Sequence, residues 1–449
     1  MKQRRTLRNW GVVFLFITWV TLLLVPGAGA QSKYTSLYKF RARAGGRYPS
    51  GLIFDQSGNL YGTTVLGGAN GLGTVFKLTP SSGGSWTESV LYSFCSLSNC
   101  ADGSAPVAGV IFDGAGNLYG TTINGGSTSN SICNGCGVVF KLIPNRDGSW
   151  TESVLYSFCS LRLCVDGAEP ASGVTFDQAG NLYGTTTIGG PSSACGLFGC
   201  GTVFKLTHGS GGSWTESVLH GFCSFTNCAD GKVTFAGVIF DGAGNLYGTT
   251  PDGGNLSQCL GHGCGVVYEL TPKADGSWKA EILHRFTGGR DGARPQDSLL
   301  FDGNGNLYGA TAGGGNLTRH CEFGCGVVFE LVPDSHGGWK EKVLHSFAGG
   351  GGSGFFPFAS LVLDKAGNLY GTALFGGDLR LCSANGCGVV FELTPNSNGG
   401  WTETVLHRFL DHPGAEPGAG LILDAAGNVY GATSGDGSTT FGSVFEITP

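Results

Sequence analysis

One motif recurs along this chain and limits what the chain can become. Phe54-Asp55-x-x-Gly58-Asn59-Leu60-Tyr61-Gly62 returns at Asp113, Asp177, Asp241, Asp302, Asp364 and Asp424, with spacings of 58, 64, 64, 61, 62 and 60 residues. Seven copies at this period define a repeat architecture, and the period outranks any local reading. Each unit reads as four strands. The first is like Ala108–Phe112, and Asp113-Gly114-Ala115-Gly116 follows as a tight turn with Asp first and Gly fourth, as type I turns favour. The second strand is Asn117–Thr122, and a Gly-rich loop of variable length comes after it. The third is Gly137–Leu142, a turn holds Pro144 and Gly148, and the fourth runs from Trp150 to Phe158. β-Branched and aromatic residues fill these runs, and Gly, Pro, Asn and Asp bound them. Gly120, inside the second strand, predicts close approach of a neighbouring sheet.

Composition agrees with an all-β chain. Of 449 residues 82 are Gly, 13% are charged and 11% are aromatic. Gly costs a helix roughly 1 kcal/mol per position. A disordered chain would be rich in charge and poor in aromatics, and the every-third Gly of collagen is not seen.

The ends of the repeat decide the topology. The last unit holds three strands, Gly420–Leu423, Asn428–Thr433 and Ser443–Thr448. Leu37-Tyr38-Lys39-Phe40 matches Leu91-Tyr92-Ser93-Phe94 and supplies the missing fourth, although Ser32 stands where other copies have Trp86, Trp150, Trp214, Trp278, Trp339 and Trp401. An open solenoid needs polar caps and has no use for a permuted end. A ring does. The expected fold is a seven-bladed β-propeller, four antiparallel strands per blade, closed by the N-terminal strand and spanning 31–449 as one domain.

Residues 1–30 read as a secretory signal peptide. Lys2, Arg4, Arg5 and Arg8 form a positive start, Gly11 to Val25 is apolar, and Ala28-Gly29-Ala30 is a cleavage site. The apolar run of 15 residues is shorter than the roughly 20 a membrane-spanning helix needs. Beyond it the chain has 22 basic and 32 acidic residues, a net charge of −10. That balance disfavours nucleic acid and anionic membrane surfaces. The expectation is a secreted monomer, extracellular or periplasmic, with no membrane attachment after cleavage.

Sixteen cysteines fall into eight close pairs: Cys95 and Cys100, Cys133 and Cys136, Cys159 and Cys164, Cys195 and Cys200, Cys223 and Cys228, Cys259 and Cys264, Cys321 and Cys325, Cys382 and Cys387. An even count in an exported chain reads as disulfides, and the repeated spacing argues for neighbour pairing. Zinc would want a second pair or a His nearby, and only His262 and His320 lie beside a pair. Neither a metal nor another cofactor is expected.

The motif Gly-Asn-Leu-Tyr-Gly-Thr-Thr with Gly-Val-Val-Phe-Glu-Leu-Thr-Pro spans the chain beyond the leader. It resembles the Gloeo/Verruco ("GloVer") tandem repeat of choice-of-anchor bacterial secreted proteins, and the strand–Asp-x-x-Gly-Asn-Leu-Tyr–strand opening is similar to an NHL-type blade. The resemblance implies an exported bacterial protein with propeller-like repeats and no established activity. Members often carry a C-terminal anchor, whereas this sequence stops at the repeat.

Strand alternation puts the second-to-third and fourth-to-first connections on one rim. They are long and variable and hold every cysteine, which makes that rim the candidate binding face. Asp102, Asp166, Asp230 and Asp291, each eleven residues before a turn Asp, form a candidate acidic arc at the channel mouth for Ca²⁺, a cationic group or sugar hydroxyls. The competing reading is an Asp-Gly turn, since Gly follows each. Ala44, Ser353 and Pro413 break the arc. His220, His284, His345 and His407 share one outer-strand position and cannot converge. Glu88, Glu152 and Glu216 share another and read as solvated. The repeated Trp reads as blade packing.

Residues outside the register are more informative. His262, Arg319, His320, Glu322 and Arg380 lie in second-to-third loops of three successive blades, and Arg290, Arg294 and Asp297 lie in one fourth-to-first loop. They are the candidate ligand-binding patch. No catalytic residue is assigned, because no nucleophile-elbow, metalloprotease or phosphate-loop motif occurs. The leading expectation is a non-catalytic secreted propeller binding a glycan, peptide or partner protein. An extracellular propeller enzyme acting on polysaccharide or lactone comes second, and a structural surface or matrix protein third.

Overall fold

The computed structural model describes residues 32–41, 45–126, 133, 135–350, 352–410, 415–435 and 441–449. The leader, Ala44 and Pro413 lie outside them. The remainder from Ser32 onward is one compact unit of seven antiparallel sheets, and each sheet is a blade. Blade 2 shows the pattern: Ile111–Phe112, Leu118–Thr122, Val138–Pro144 and Trp150–Ser157 pair in chain order from the axis outward.

The Asp of the motif builds the first turn. Asp113 Oδ1 accepts the N–H groups of Ala115 and Asn117, both at 2.9 Å, and Oδ2 accepts Asn117 Nδ2 at 2.7 Å and the Tyr119 hydroxyl at 3.0 Å. Burial alone would raise its pKa, but these bonds outweigh burial and hold the carboxyl below its usual range. The same contacts recur at the other six turns. Asp, Gly, Asn and Tyr therefore recur because one carboxylate joins the innermost strand to the second.

The innermost strands are shorter than the sequence suggests. Ile111–Phe112 replaces the expected Ala108–Phe112, and only Arg47–Phe54 of blade 1 is long; blade 6 adds a separate Gly354–Pro357. The reason is a change of partner. The second-strand threonines donate to the innermost segment of the next blade, Thr63 to Ala108 O (2.8 Å), Thr121 to Ser172 O (2.6 Å) and Thr185 to Ala236 O (2.8 Å). The Gly of the second strand also differs from expectation. A Cβ on Gly120 would lie 2.7 Å from Phe140 Cζ, so the glycine admits a ring from its own blade and not a neighbouring sheet.

The core is divided into seven clusters, one at each seam between blades. At every seam an aromatic ring just past one outer strand meets a ring on the next blade's third strand edge to face. Phe94–Phe140, Phe158–Phe204 and Phe286–Phe329 are examples at 5.0–5.2 Å. Phe40–Phe76 repeats the pair at 5.2 Å between the last and first blades. Each repeated Trp packs at a seam as well, Trp278 against Tyr183 for instance. Lys33–Lys39 pairs antiparallel with Ser443–Thr448 and completes the last blade. Removing Ser32–Phe40 therefore exposes the Ser443–Thr448 edge. The expected outcome is a lower melting temperature and self-association in size-exclusion chromatography, and an unchanged monomer would contradict closure by this strand.

The outer-strand glutamates are a correction. They are not solvated: Glu152 Oε1 and Glu216 Oε1 are buried without a partner, and Glu88 takes the Tyr38 hydroxyl at 2.8 Å. Strand alternation turns them into the seam. Burial, and then the neighbouring Asp102 and Asp166 carboxylates, push Glu152 and Glu216 up to about 8. A carboxyl whose folded pKa is raised costs nothing while protonated in both states. It destabilises the fold as pH climbs from the ordinary carboxylate range toward about 8. The melting temperature is expected to fall between about pH 5 and pH 8. Glu152→Gln with Glu216→Gln should flatten that slope, as thermal melts across pH would record.

Candidate functional site

All eight cysteine pairs are disulfides between neighbours, as the spacing predicts. Cys95 bonds Cys100, Cys133 bonds Cys136, Cys159 bonds Cys164 and Cys195 bonds Cys200. Cys223 bonds Cys228, Cys259 bonds Cys264, Cys321 bonds Cys325 and Cys382 bonds Cys387. Their backbone carries contacts that the pairing alone does not foretell. Cys100 O accepts Gly103 N–H (2.8 Å) and Gly126 N–H (2.9 Å), and Cys228 O accepts Gly231 N–H (3.0 Å) and Gly254 N–H (2.9 Å). Each carbonyl thereby ties a fourth-to-first loop to the next blade's second-to-third loop. Cys387 O accepts Glu416 N–H (2.9 Å), which joins blade 6 to the segment that opens blade 7.

The two kinds of long loop also meet through their side chains: Cys195 Sγ is 3.9 Å from Cys223 Sγ. In blades 2 and 3 two disulfides therefore stack. In blades 4 and 5 a glycine replaces the second. A Cβ on Gly288 would lie 2.8 Å from Cys259 Sγ, and one on Gly349 would lie 2.6 Å from Cys321 Sγ. Such short covalent loops hold loop shape more than they stabilise the whole chain.

The acidic arc is placed elsewhere than the channel mouth. Asp102 is fully buried and accepts Ser96 N–H (2.8 Å), Ser96 Oγ (2.9 Å), Leu97 N–H (3.1 Å) and the outer-strand Tyr92 hydroxyl (2.7 Å). Asp166 does the same with Ser160, Leu161 and Tyr156. Asp230 holds Ser224, Phe225 and His220 Nε2, and Asp291 holds Thr287 with His284 beside it. These carboxylates organise the fourth-to-first loops, because the Asp-Gly corner folds back onto the outer strand. His345 faces Glu403, and His407 stacks on Tyr34 at 3.9 Å, so the four histidines stay in separate seams. Burial lowers His407 to about 4 and keeps it neutral.

The off-register patch divides. His262, Arg294 and Glu322 line one cavity of about 600 Å³ between the loops of blades 4 and 5. Arg319 donates to its neighbour His320 (2.9 Å) outside the cavity. Arg380 is held by Asp378 through two bonds of 2.8 and 2.5 Å, and Arg290 shares the blade 4–5 connection without lining the cavity. The cavity adds Asp252 and three apolar loop tips, Leu260, Leu317 and Phe323, exposed by 82%, 72% and 71%. Among the described residues, neither Arg294 nor Glu322 belongs to an ion pair. The loops are held by Cys259–Cys264 and Cys321–Cys325. Clustered exposed apolar side chains beside unpaired charges are the features of a recognition site.

A second feature escaped sequence reading. Eight residues ahead of the turn Asp in blades 2 to 7, and seven ahead of it in blade 1, one residue per blade holds left-handed backbone. These are Tyr48, Ala105, Glu169, Val233, Arg294, Phe356 and Glu416, with φ between 55° and 63°. Each N–H bonds a carbonyl of the preceding blade, Glu169 to Cys136 O (2.8 Å) and Arg294 to Cys264 O (2.8 Å) among them. Gly adopts this conformation without steric cost, whereas other residues are strained there by about 1 kcal/mol or more. None of the seven is Gly, and their side chains range from Ala to Arg. The legible signal was variability at one fixed place in a repeat that is otherwise strict, just ahead of a recurring proline.

Architecturally this is a β-propeller with a disulfide-bearing loop face. The Gloeobacter/Verrucomicrobia repeat model matches residues 24–259 and 192–445, and the chain belongs to that family. No curated relative matches it in sequence. Among solved structures it is similar to virginiamycin B lyase from Staphylococcus aureus, at 11% identity over 93% of this chain and 100% of that one, TM-score 0.51. It is also similar to the extracellular domain of a putative one-component system from B. thetaiotaomicron, at 13% identity over 92% of this chain and 40% of that one, TM-score 0.50. A gluconolactonase from Xanthomonas campestris follows at 12% identity, 93% and 89% coverage and TM-score 0.39. The lyase and the extracellular domain, at TM-scores of 0.51 and 0.50, share the fold alone with this chain.

Replacing Arg294 or Glu416 with Gly relieves the left-handed strain. Each variant is expected to gain up to about 1 kcal/mol, read as a small rise in melting temperature, whereas Ala at either position gains nothing.

Proposed function

We propose that this protein is an exported binding propeller whose disulfide-bearing face captures a glycan or peptide, with the cavity between blades 4 and 5 as the docking point. The observation that carries this reading is the meeting there of Arg294, Glu322 and the exposed tips Leu260, Leu317 and Phe323. An unpaired guanidinium suits a carboxylate, which it can hold through two parallel bonds. The apolar tips suit the face of a sugar ring or an aliphatic side chain. Ligands of this kind are an acidic glycan or an acidic peptide. Disulfides that fix the loops beforehand reduce the ordering cost of binding. Eight disulfides belong with an oxidising compartment outside the cytoplasm, and among the described residues no helix is long and apolar enough to cross a membrane.

The test is a glycan- and peptide-array screen followed by calorimetry on the best ligand. Arg294→Ala with Glu322→Ala should weaken binding about tenfold or more, the effect of losing a charge-assisted contact, with the melting temperature nearly unchanged. Full affinity in that double variant would move the site off this cavity.

A further inference from the structure

The axis of the ring carries one departure from the repeat. Five residues ahead of each turn Asp stand Ser50, Ala108, Ser172, Ala236, Asp297, Ala359 and Ala419, and the next position is Gly in every blade except at Ser298 and Ser360. These segments line a central cavity of about 470 Å³ to which all seven blades contribute. Glycine follows from crowding: a Cβ on Gly51 would lie 2.4 Å from Gly109 Cα. The two serines sit on adjacent blades; Ser360 serves Asp297 with its hydroxyl, whereas Ser298 serves it only with the backbone N–H that any residue but Pro supplies. Asp297 Oδ1 accepts Ser298 N–H at 2.7 Å and Ser360 Oγ at 2.5 Å, while Ser298 Oγ accepts Gly237 N–H at 3.0 Å. Among the described residues lining the cavity Asp297 is the one that titrates, and no Lys, Arg or His of the described residues pairs with it. The surrounding walls include Val107, Ile123, Phe235 and Phe358.

A half-buried carboxylate without a counter-ion costs free energy that Ser or Ala avoids at the same place. Burial raises this one to about 6, with the serine bonds pulling the other way. Six blades show that folding does not need it. A costly group that is unique in seven, and supported by the Ser360 hydroxyl at a position that is Gly in five blades, marks a place where local rules yield to a ligand. We propose that the axial cavity binds a primary alkylammonium group, the amine end of a lysine side chain or of a small amine, with Asp297 as its counter-ion. The apolar walls take the alkyl stem, and the three N–H donors of the ammonium find the carboxylate and its oxygen-rich surroundings. Ca²⁺ fits poorly, since it takes about six to eight oxygens with more than one carboxylate as a rule. This site is separate from the loop cavity and does not depend on that reading.

The test titrates the whole chain with n-butylammonium at pH 7.5 by calorimetry, with n-butanol and CaCl₂ as comparisons. Saturable binding of the amine is expected, at least tenfold weaker in Asp297→Asn and in Asp297→Ser, the latter placing in blade 5 the residue found in blades 1 and 3. Binding should also weaken at pH 5, where the carboxyl gains its proton. Thermal melts establish that both variants fold. No binding by the native chain, equal binding of n-butanol, or undiminished amine binding in both variants would overturn the proposal. So would calcium binding that depends on Asp297 without any response to the amine.

Discussion

Closure of the ring is the constraint on which the rest depends. Each blade is hydrophobic on both faces and can bury them only against its neighbours, so seven blades need seven seams. Six come from consecutive units, and the seventh exists because Lys33–Lys39 adds to Ser443–Thr448. The equivalence is physical: Phe40 meets Phe76 across the closing seam with the same edge-to-face geometry as Phe94 and Phe140 elsewhere. With the ring closed, the ladder edges inside each blade face either the axis or the outside, and the loops gather on two rims.

Strict repetition makes departures legible. Where folding alone decides, the residue is the same in every unit: Asp at the turn, Gly beneath the aromatic ring of the third strand, Pro at the start of the inner segment in six of seven blades. Where it varies, another demand is at work. Seven different contexts share one left-handed position, and the one that holds Arg294 borders the cavity between the loops of blades 4 and 5. Three positions along, the same connection carries Asp297 to the axis. The blade 4–5 connection thus reaches from the loop cavity to the axial cavity.

The seams carry a second, quieter variation. At the two seams between blades 1 and 2 and between blades 2 and 3 an Asp-bearing loop and a Glu on the next outer strand press two carboxyls together, and the Glu stays protonated well above its usual range. Where Glu gives way to Ala280, His220 pairs directly with Asp230. Where the Asp position is Ser353, that hydroxyl and His345 both face Glu403. The seam thus keeps a polar contact under several chemistries.

The amino-acid order by itself determined the period, the strand order, the neighbour disulfides and the use of the N-terminal strand, since all of these are written in local spacing and turn chemistry. Tertiary structure decided which polar residues were free to act. Asp102 and Asp166 looked like channel-mouth ligands, yet the loop folds their carboxylates onto Tyr92 and Tyr156. Glu152 alternates with exposed neighbours along its strand and looked solvated, yet the next blade covers it. Arg380 looked available and is spent on Asp378 two residues away, whereas Arg294 is left unpaired. Burial and partnership are made by segments some fifty residues apart meeting across a seam, and a single chain read in order carries no record of which residues those meetings cover.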